Sequence, residues 1–226
     1  MHHLSIDLET YSSVPIKKTG AQRYIASPDF EILLFAYSLD DQPVQVIDMA
    51  MGEHIPEWLI QALYSPDYVK HAYNAAFEFG CLSKVYGPLI PAQWRDTMLH
   101  SLYCGYAASL DAAGKAIGLA EDKQKLNTGK ALIRYFCVPC KPTKSNGGRT
   151  RNLPHHDPER WKLFKEYNAQ DVVTEMTIEN WLSSRPVPDF VQKQWETDLC
   201  INLRGVAVDM PFVEGALVIG AQVKAG

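Results

Sequence analysis

Asp7 and Glu9 stand two residues apart in the stretch Leu4-Ser5-Ile6-Asp7-Leu8-Glu9-Thr10, and that spacing decides what they can do together. Successive side chains of an extended strand alternate faces, so Leu4, Ile6 and Leu8 share one side while Ser5, Asp7 and Glu9 share the other. The apolar side can anchor the strand in a core. The two carboxylates are then one pleat repeat apart, close enough to repel unless a cation sits between them. Paired carboxylate oxygens on a rigid strand are what a hard divalent ion such as magnesium or manganese requires. An edge strand with one solvated face would show the same alternation. Asp-x-Glu recurs at Asp29-Phe30-Glu31 and Asp157-Pro158-Glu159, but only the first instance closes an alternating apolar strand.

Two further places carry matching chemistry. Tyr167 and Asp171 are four residues apart in a segment of helical periodicity, so a phenol and a carboxylate project from one face a turn apart. Tyr37 and Asp41 share that spacing but fall in a predicted hairpin, where the helical argument fails. In Asn74-Ala75-Ala76-Phe77-Glu78 a strand end hands over to a helix with an acidic residue in its first turn, a position that the helix dipole alone would favour. A polar loop between Pro139 and Pro158 holds Lys141, Lys144, Arg149 and Arg151 around Gly147-Gly148; these cations can bind phosphates or simply be solvated. Cys137-Val138-Pro139-Cys140 with His155 and His156 offers zinc-type ligands. Competing lysines and two adjacent histidines speak against a tetrahedral site there.

The elements that must position these residues follow from periodicity and turn chemistry. After the first strand, Tyr11 to Asp29 reads as loop with a short helix near Gly20 to Ala26. Glu31 to Leu39 and Val44 to Met49 form a hairpin about Asp40-Asp41-Gln42-Pro43. A helix from Pro56, a strand from Tyr68 to Tyr73 and a helix from Ala75 to Tyr86 come next, with Asn74 as the cap and Phe77, Cys81, Leu82 and Val85 facing inward. Trp94 to Met98 is the last strand. Leu99 to Arg134 reads as helices broken at Gly114 and Gly118, and a long helix runs from Pro158 to about Leu182 behind an Asp157 cap. This order describes an α/β domain with a mixed central sheet flanked by helices. Arg185-Pro186-Val187-Pro188 is a linker. Beyond it, Asp189 to Gly226 offers a helix, a turn and strand at Arg204 to Asp209, and a helix from Pro211, too little for a core of its own.

Composition limits the alternatives. A chain of 226 residues with 46% hydrophobic content can bury one large core, or one core and the beginning of another domain. Its net charge of -4 argues against a general nucleic-acid coat protein, so contact with a polyanion must come from a local basic patch or from bound metal. Five cysteines with no secretory segment before them suit reduced thiols in a cytoplasm. No apolar run approaches the roughly 18 residues of a membrane span.

Taken in order, the three places resemble the DEDD exonucleases, in the subclass with a tyrosine in the third motif. Asp7 and Glu9 match that family's Asp-x-Glu, Asn74 to Glu78 its Asn-x-x-aromatic-Asp except in the last residue, and Tyr167 and Asp171 its Tyr-x-x-x-Asp. Trp94-Arg95-Asp96-Thr97-Met98-Leu99, the stretch Gly147 to Arg151 and the Tyr-Asn-Ala-Gln-Asp-Val run further resemble the exonuclease domain of phage-type family A DNA polymerases. The resemblance implies a ribonuclease H-like fold over residues 1–185, with 186–226 as linker and start of a polymerase domain. It implies hydrolysis of single-stranded DNA or a frayed primer from the 3′ end with two magnesium or manganese ions. Asp7 would bridge both ions, Glu9 and Asp171 would complete the first, Glu78 would serve the second, and Tyr167 would orient the attacking water. Thr10, Asn74, Lys141, Lys144, Arg149 and Arg151 would contact the nucleic acid, and the polymerase domain of the same parent chain would be the partner. Two rivals keep the same residues. One is an RNA-trimming exonuclease of the ribonuclease D kind; the other is an inactive domain that only clamps the primer, for which Glu in place of Asp at position 78 is the support.

Overall fold

The computed structural model describes residues 1–119 and 123–225. Its sheet has five strands in the order β3-β2-β1-β4-β5: β1 (His2–Tyr11), β2 (Glu31–Leu39), β3 (Gln45–Asp48), β4 (Tyr68–Ala72) and β5 (Trp94–Asp96). β1 therefore lies at the centre, antiparallel to β2 and parallel to β4, and not at an edge. The β2–β3 hairpin turns through Asp40 and Asp41, both in the left-handed region (φ 48° and 60°) that short polar side chains tolerate.

The alternation of β1 has the predicted consequence. Leu4, Ile6 and Leu8 are buried with Phe35 and Tyr37 of β2 against a layer made by α2 (Ala21–Ile25), α3 (Glu57–Tyr64) and α4 (Ala75–Tyr86). A very short α1 (Ile16–Thr19) precedes α2. The opposite face is covered by α7 (Lys123–Phe136) and α8 (Pro158–Leu182), where Leu132, Phe136, Trp161 and Phe164 pack on Leu34 and Tyr11. In chain order α5 (Thr97–Tyr103) and α6 (Leu110–Ala116) come between α4 and α7, and both pack against α8. α8 begins as its residues require: Pro158 takes the first turn and Asp157 Oδ1 accepts from the Arg160 N–H at 3.1 Å.

Several expectations are corrected. Of the two expected breaks, the chain turns at Gly118 (φ 91°), whereas Gly114 lies inside α6. Residues 120–122, within the segment expected to be helical, lie outside the described residues. On α4, Val85 is exposed and the buried face includes Glu78 and Phe79, because the helix sits on a site that takes up a carboxylate. Asn74 occupies the cap position with φ 68°, yet its side chain makes no cap bond; its N–H donates to Asp96 Oδ1 at 3.0 Å. Beyond Arg185, α9 (Asp189–Arg204) packs on the sheet domain, with Gln192 Nε2 donating to the Trp94 carbonyl at 3.0 Å and Trp195 Nε1 to Asp96 Oδ2 at 3.2 Å. The strand expected at Val206 to Val208 does not form. Those residues have no neighbouring strand to complete their backbone hydrogen bonds, and both valines are exposed. α10 (Met210–Ala225) follows with no buried residue. No helix among the described residues is long and apolar enough to cross a membrane.

Candidate active site

β1 and α8 face each other with their polar sides. Asp7, Glu9 and Asp171 each bring one carboxylate oxygen within 4.8 Å of the others. The β1–β2 ladder shifts register by one residue at Glu9/Thr10, where Leu33 of β2 is the extra residue. Beside it Glu9, Thr10 and Tyr11 of β1 are buried in succession. Asp7 is held by Asn168, whose Nδ2 donates to Asp7 Oδ2 at 2.6 Å and to the Asp7 carbonyl at 3.3 Å. The Cys137 thiol donates to Glu9 Oε2 across 3.7 Å. The Tyr167 hydroxyl is directed at the Asp171 carboxylate. Glu78 reaches in from the first turn of α4, 4% exposed, with Oε2 buried and unpartnered. Glu175 stands one turn beyond Asp171 on α8; Thr97 Oγ1 donates to its Oε1, while its Oε2 is buried and unpartnered.

The electrostatics of this cluster are one-sided. Burial, and then the neighbouring charges of Asp171 and Asp7 respectively, push the Asp7 and Glu9 carboxyls well above the usual range. Glu78 is raised for the same reasons, burial first and Asp7 next. Asp171 is pushed up to about 7 by burial, against the lowering effect of its bond to Tyr167, and Glu175 also to about 7 by burial. Among the described residues no ion pair joins any of these carboxylates to a lysine or arginine. Buried carboxylates without counter-charge must bind protons or cations. An all-oxygen donor set with unpaired buried oxygens suits magnesium or manganese.

Stability should therefore depend on pH in a set direction. A carboxyl raised on folding binds more protons in the folded chain, so its contribution is complete in acid and is lost as pH rises through the folded value, here about 7. His71, pushed down to about 4 by burial, opposes this on the acid side. The metal-free protein is expected to melt several degrees lower at pH 8 than at pH 6.5, and millimolar Mg2+ or Mn2+ should restore most of the difference. Thermal melts in chelator check this; a midpoint independent of pH and metal would contradict it.

The remaining predicted residues are placed unequally. Thr10 lines a cavity of about 250 Å3 beside Glu9, together with Leu8, Phe77, Ile133, Val138 and Pro139, and its Oγ1 pairs with the Tyr24 hydroxyl at 2.9 Å. Asn74 stands at the head of the helix that delivers Glu78. Lys141 and Lys144 are exposed, whereas Arg149 bonds Asn152 Oδ1 at 2.7 Å and Arg151 pairs with Glu31 and lies 3.8 Å over the Tyr11 ring. Arg149 holds the loop's own shape, and Arg151 ties the loop to β1 and β2. Cys137 and Cys140 face different partners, Glu9 for the first and Asn152 for the second. Asp96 caps α5, where it accepts from the Met98 N–H at 2.9 Å. Sequence reasoning missed Asn168, Glu175 and Gly129. The first two share the helical face of Tyr167 and Asp171, which was the available signal. Gly129 gave none: on α7 it faces the Tyr167 ring so closely that an added Cβ would meet Cε2 at 2.2 Å.

No protein-family profile matches the chain. Against curated proteins it is 49% identical over 227 residues to a DNA polymerase of Bacillus phage SP02, an alignment covering 100% of the chain and 35% of the polymerase. The chain thus spans about a third of the length of that relative. Among solved structures, Escherichia coli RNase D, an exoribonuclease involved in structured RNA processing, superimposes at TM-score 0.58 over 91% of the chain and 46% of its own, with 18% identity. Brucella melitensis NrnC aligns at TM-score 0.47 and 16% identity, over 88% of the chain and 80% of its own. The chain has a ribonuclease H-like α/β fold, shared with RNase D, and is homologous over its whole length to about a third of a phage DNA polymerase.

Proposed function

We propose that this chain is a metal-dependent 3′-5′ exonuclease domain that removes nucleotides from single-stranded DNA or a frayed primer end, as the proofreading part of a family A DNA polymerase. The convergence of Asp7, Glu9 and Asp171 on one point between β1 and α8 carries the reading. Asp7, Glu9, Asp171 and Glu78 would hold two divalent cations, which supply charge neutralisation for the scissile phosphate and lower the pKa of attacking water. The protein's own groups do the rest. Asn168 fixes the Asp7 carboxylate, so the central ligand does not swing. Tyr167, whose phenol is kept protonated by burial and by Asp171, donates and accepts without ionising and so orients water instead of acting as a base. The largely apolar cavity beside Glu9 suits the base and sugar of a terminal nucleotide, and exposed Lys141 and Lys144 suit its phosphates. The 49% identical polymerase relative supports DNA as the substrate and a polymerase domain of the same parent chain as the partner. Exposed Phe212, Leu217, Ile219 and Val223 on α10 suit contact with that domain.

Two variants of Tyr167's surroundings test the role of its hydroxyl. Tyr167→Phe is expected to lower the single-turnover cleavage rate about 10²-fold with strand affinity nearly intact, since only the water-orienting group is lost. Weak binding with a normal maximal rate would contradict that role. Gly129→Ala should fold, shown by an unchanged far-ultraviolet spectrum, yet lose on the order of 10²-fold in cleavage because the added methyl displaces the ring. Full activity in this variant would show that the ring position does not matter. The reading as a whole is tested by digestion of matched DNA and RNA single strands with and without divalent metal, DNA being the expected substrate.

A further inference from the structure

We propose that Glu175 belongs to the metal centre as a positioning residue, holding the water shell of the second cation together with Glu78; this rests on the two-ion reading above. Glu175 lies one helical turn past Asp171 and points to the same side of α8, toward Ser5 and Asp7 on β1. Only 2% of it is exposed. The hydroxyls of Thr97 and Ser5 bond its carboxylate, which fixes the group's orientation. Its second oxygen, Oε2, is buried and has no partner. Glu78 shows the same pattern from the opposite side: buried, close enough to Asp7 and Glu175 to feel their charges, and with Oε2 unpartnered.

A purely structural acceptor for Thr97 and Ser5 needs no charge, and a glutamine would serve it. What the two free oxygens lack is a set of donors between them. The only groups whose carboxylate oxygens already converge within 4.8 Å, among the described residues, are Asp7, Glu9 and Asp171. Glu175 is not one of that group, so the role open to its charge is to hold coordinated water and not the ion itself. Magnesium and manganese retain water readily, and each such water offers two strong donors. The arrangement also gives the glutamate at position 78 a counterpart, because two long acidic side chains can grip one hydrated ion from either side.

Glu175→Gln keeps the shape and the bonds to Thr97 and Ser5 while removing the charge. Titration of the metal-free protein with Mn2+, followed by electron paramagnetic resonance, should show two ions per chain in the parent. In Glu175→Gln the tighter ion should be retained and the weaker one should lose about ten-fold or more in affinity. The metal-free variant should also melt higher than the metal-free parent, the reverse of what loss of a structural contact would do. Glu175→Asp, which keeps the charge on a shorter stem, should recover part of the second ion's affinity, and it serves as the probe if the glutamine variant does not fold. Two ions of unchanged affinity in both variants would overturn the proposal and leave the reading of the centre standing. A parent that binds no Mn2+ would overturn both.

Discussion

Asp7→Ala is expected to abolish hydrolysis, by on the order of 10³-fold or more, while the metal-free protein melts no lower than the parent. The loss follows from position: Asp7 lies on the central strand, shares its point of convergence with Glu9 and Asp171, and is the carboxylate whose charge also reaches Glu78. Removing it takes away several kcal/mol of transition-state charge stabilisation, and each 1.36 kcal/mol is a decade in rate. The stability follows from the other side of the same fact. A carboxyl raised so far by burial and by its neighbours is destabilising whenever it is ionised without a cation. The one bond lost in exchange is the 2.6 Å contact from Asn168. Paired measurement of cleavage rate and of thermal midpoint in chelator checks both halves. An inactive variant that also melts far below the parent would mean that Asp7 acts by holding the fold.

Glu78→Gln should be impaired about 10- to 100-fold at limiting metal, the loss expected when a carboxylate that holds a cation through its water is neutralised, with part of the defect relieved by raising the metal concentration. The position departs from the aspartate of the resembled family by one methylene, about 1.5 Å of extra reach. The structure gives that extra length a place: the side chain is buried from the first turn of α4 and leaves Oε2 free of any protein partner. Retained charge at this point is what matters, so Glu78→Asp should be tolerated. Metal titrations of cleavage rate for the three forms distinguish the cases. Equal rates for Glu78→Gln and the parent at limiting metal would remove Glu78 from the centre, and Asp96, committed to its cap, could not replace it.

What was legible in the sequence was whatever is written in short-range pattern. The alternation from Leu4 to Glu9 fixed both faces of β1, and Asp157-Pro158 with its 25-residue successor fixed α8, because caps, prolines and periodicity act locally. The central place of β1 was not legible, since strand order depends on which edges pair across long stretches of chain. Tyr167 and Asp171 were recognised by spacing and resemblance, yet Asn168 and Glu175 on the same helix read as ordinary solvated polar residues. Only the polar side of β1 opposite them turns that helical face into the floor of a site. The loop arginines failed the other way. Arg149 and Arg151 look like free cations in the sequence, but Asn152, Glu31 and Tyr11, up to 140 residues distant from them in the chain, engage both. The missing strand at Val206 to Val208 shows the same limit, since β propensity forms nothing without a partner edge.

The most direct test of the account uses a single-stranded DNA labelled at its 5′ end, incubated with the protein and Mg2+ or Mn2+, with samples resolved over time. A ladder that shortens one nucleotide at a time from the 3′ end is expected, absent in chelator and absent with Asp7→Ala. Release of the label first, metal-independent cleavage, or the same ladder from Asp7→Ala would contradict it.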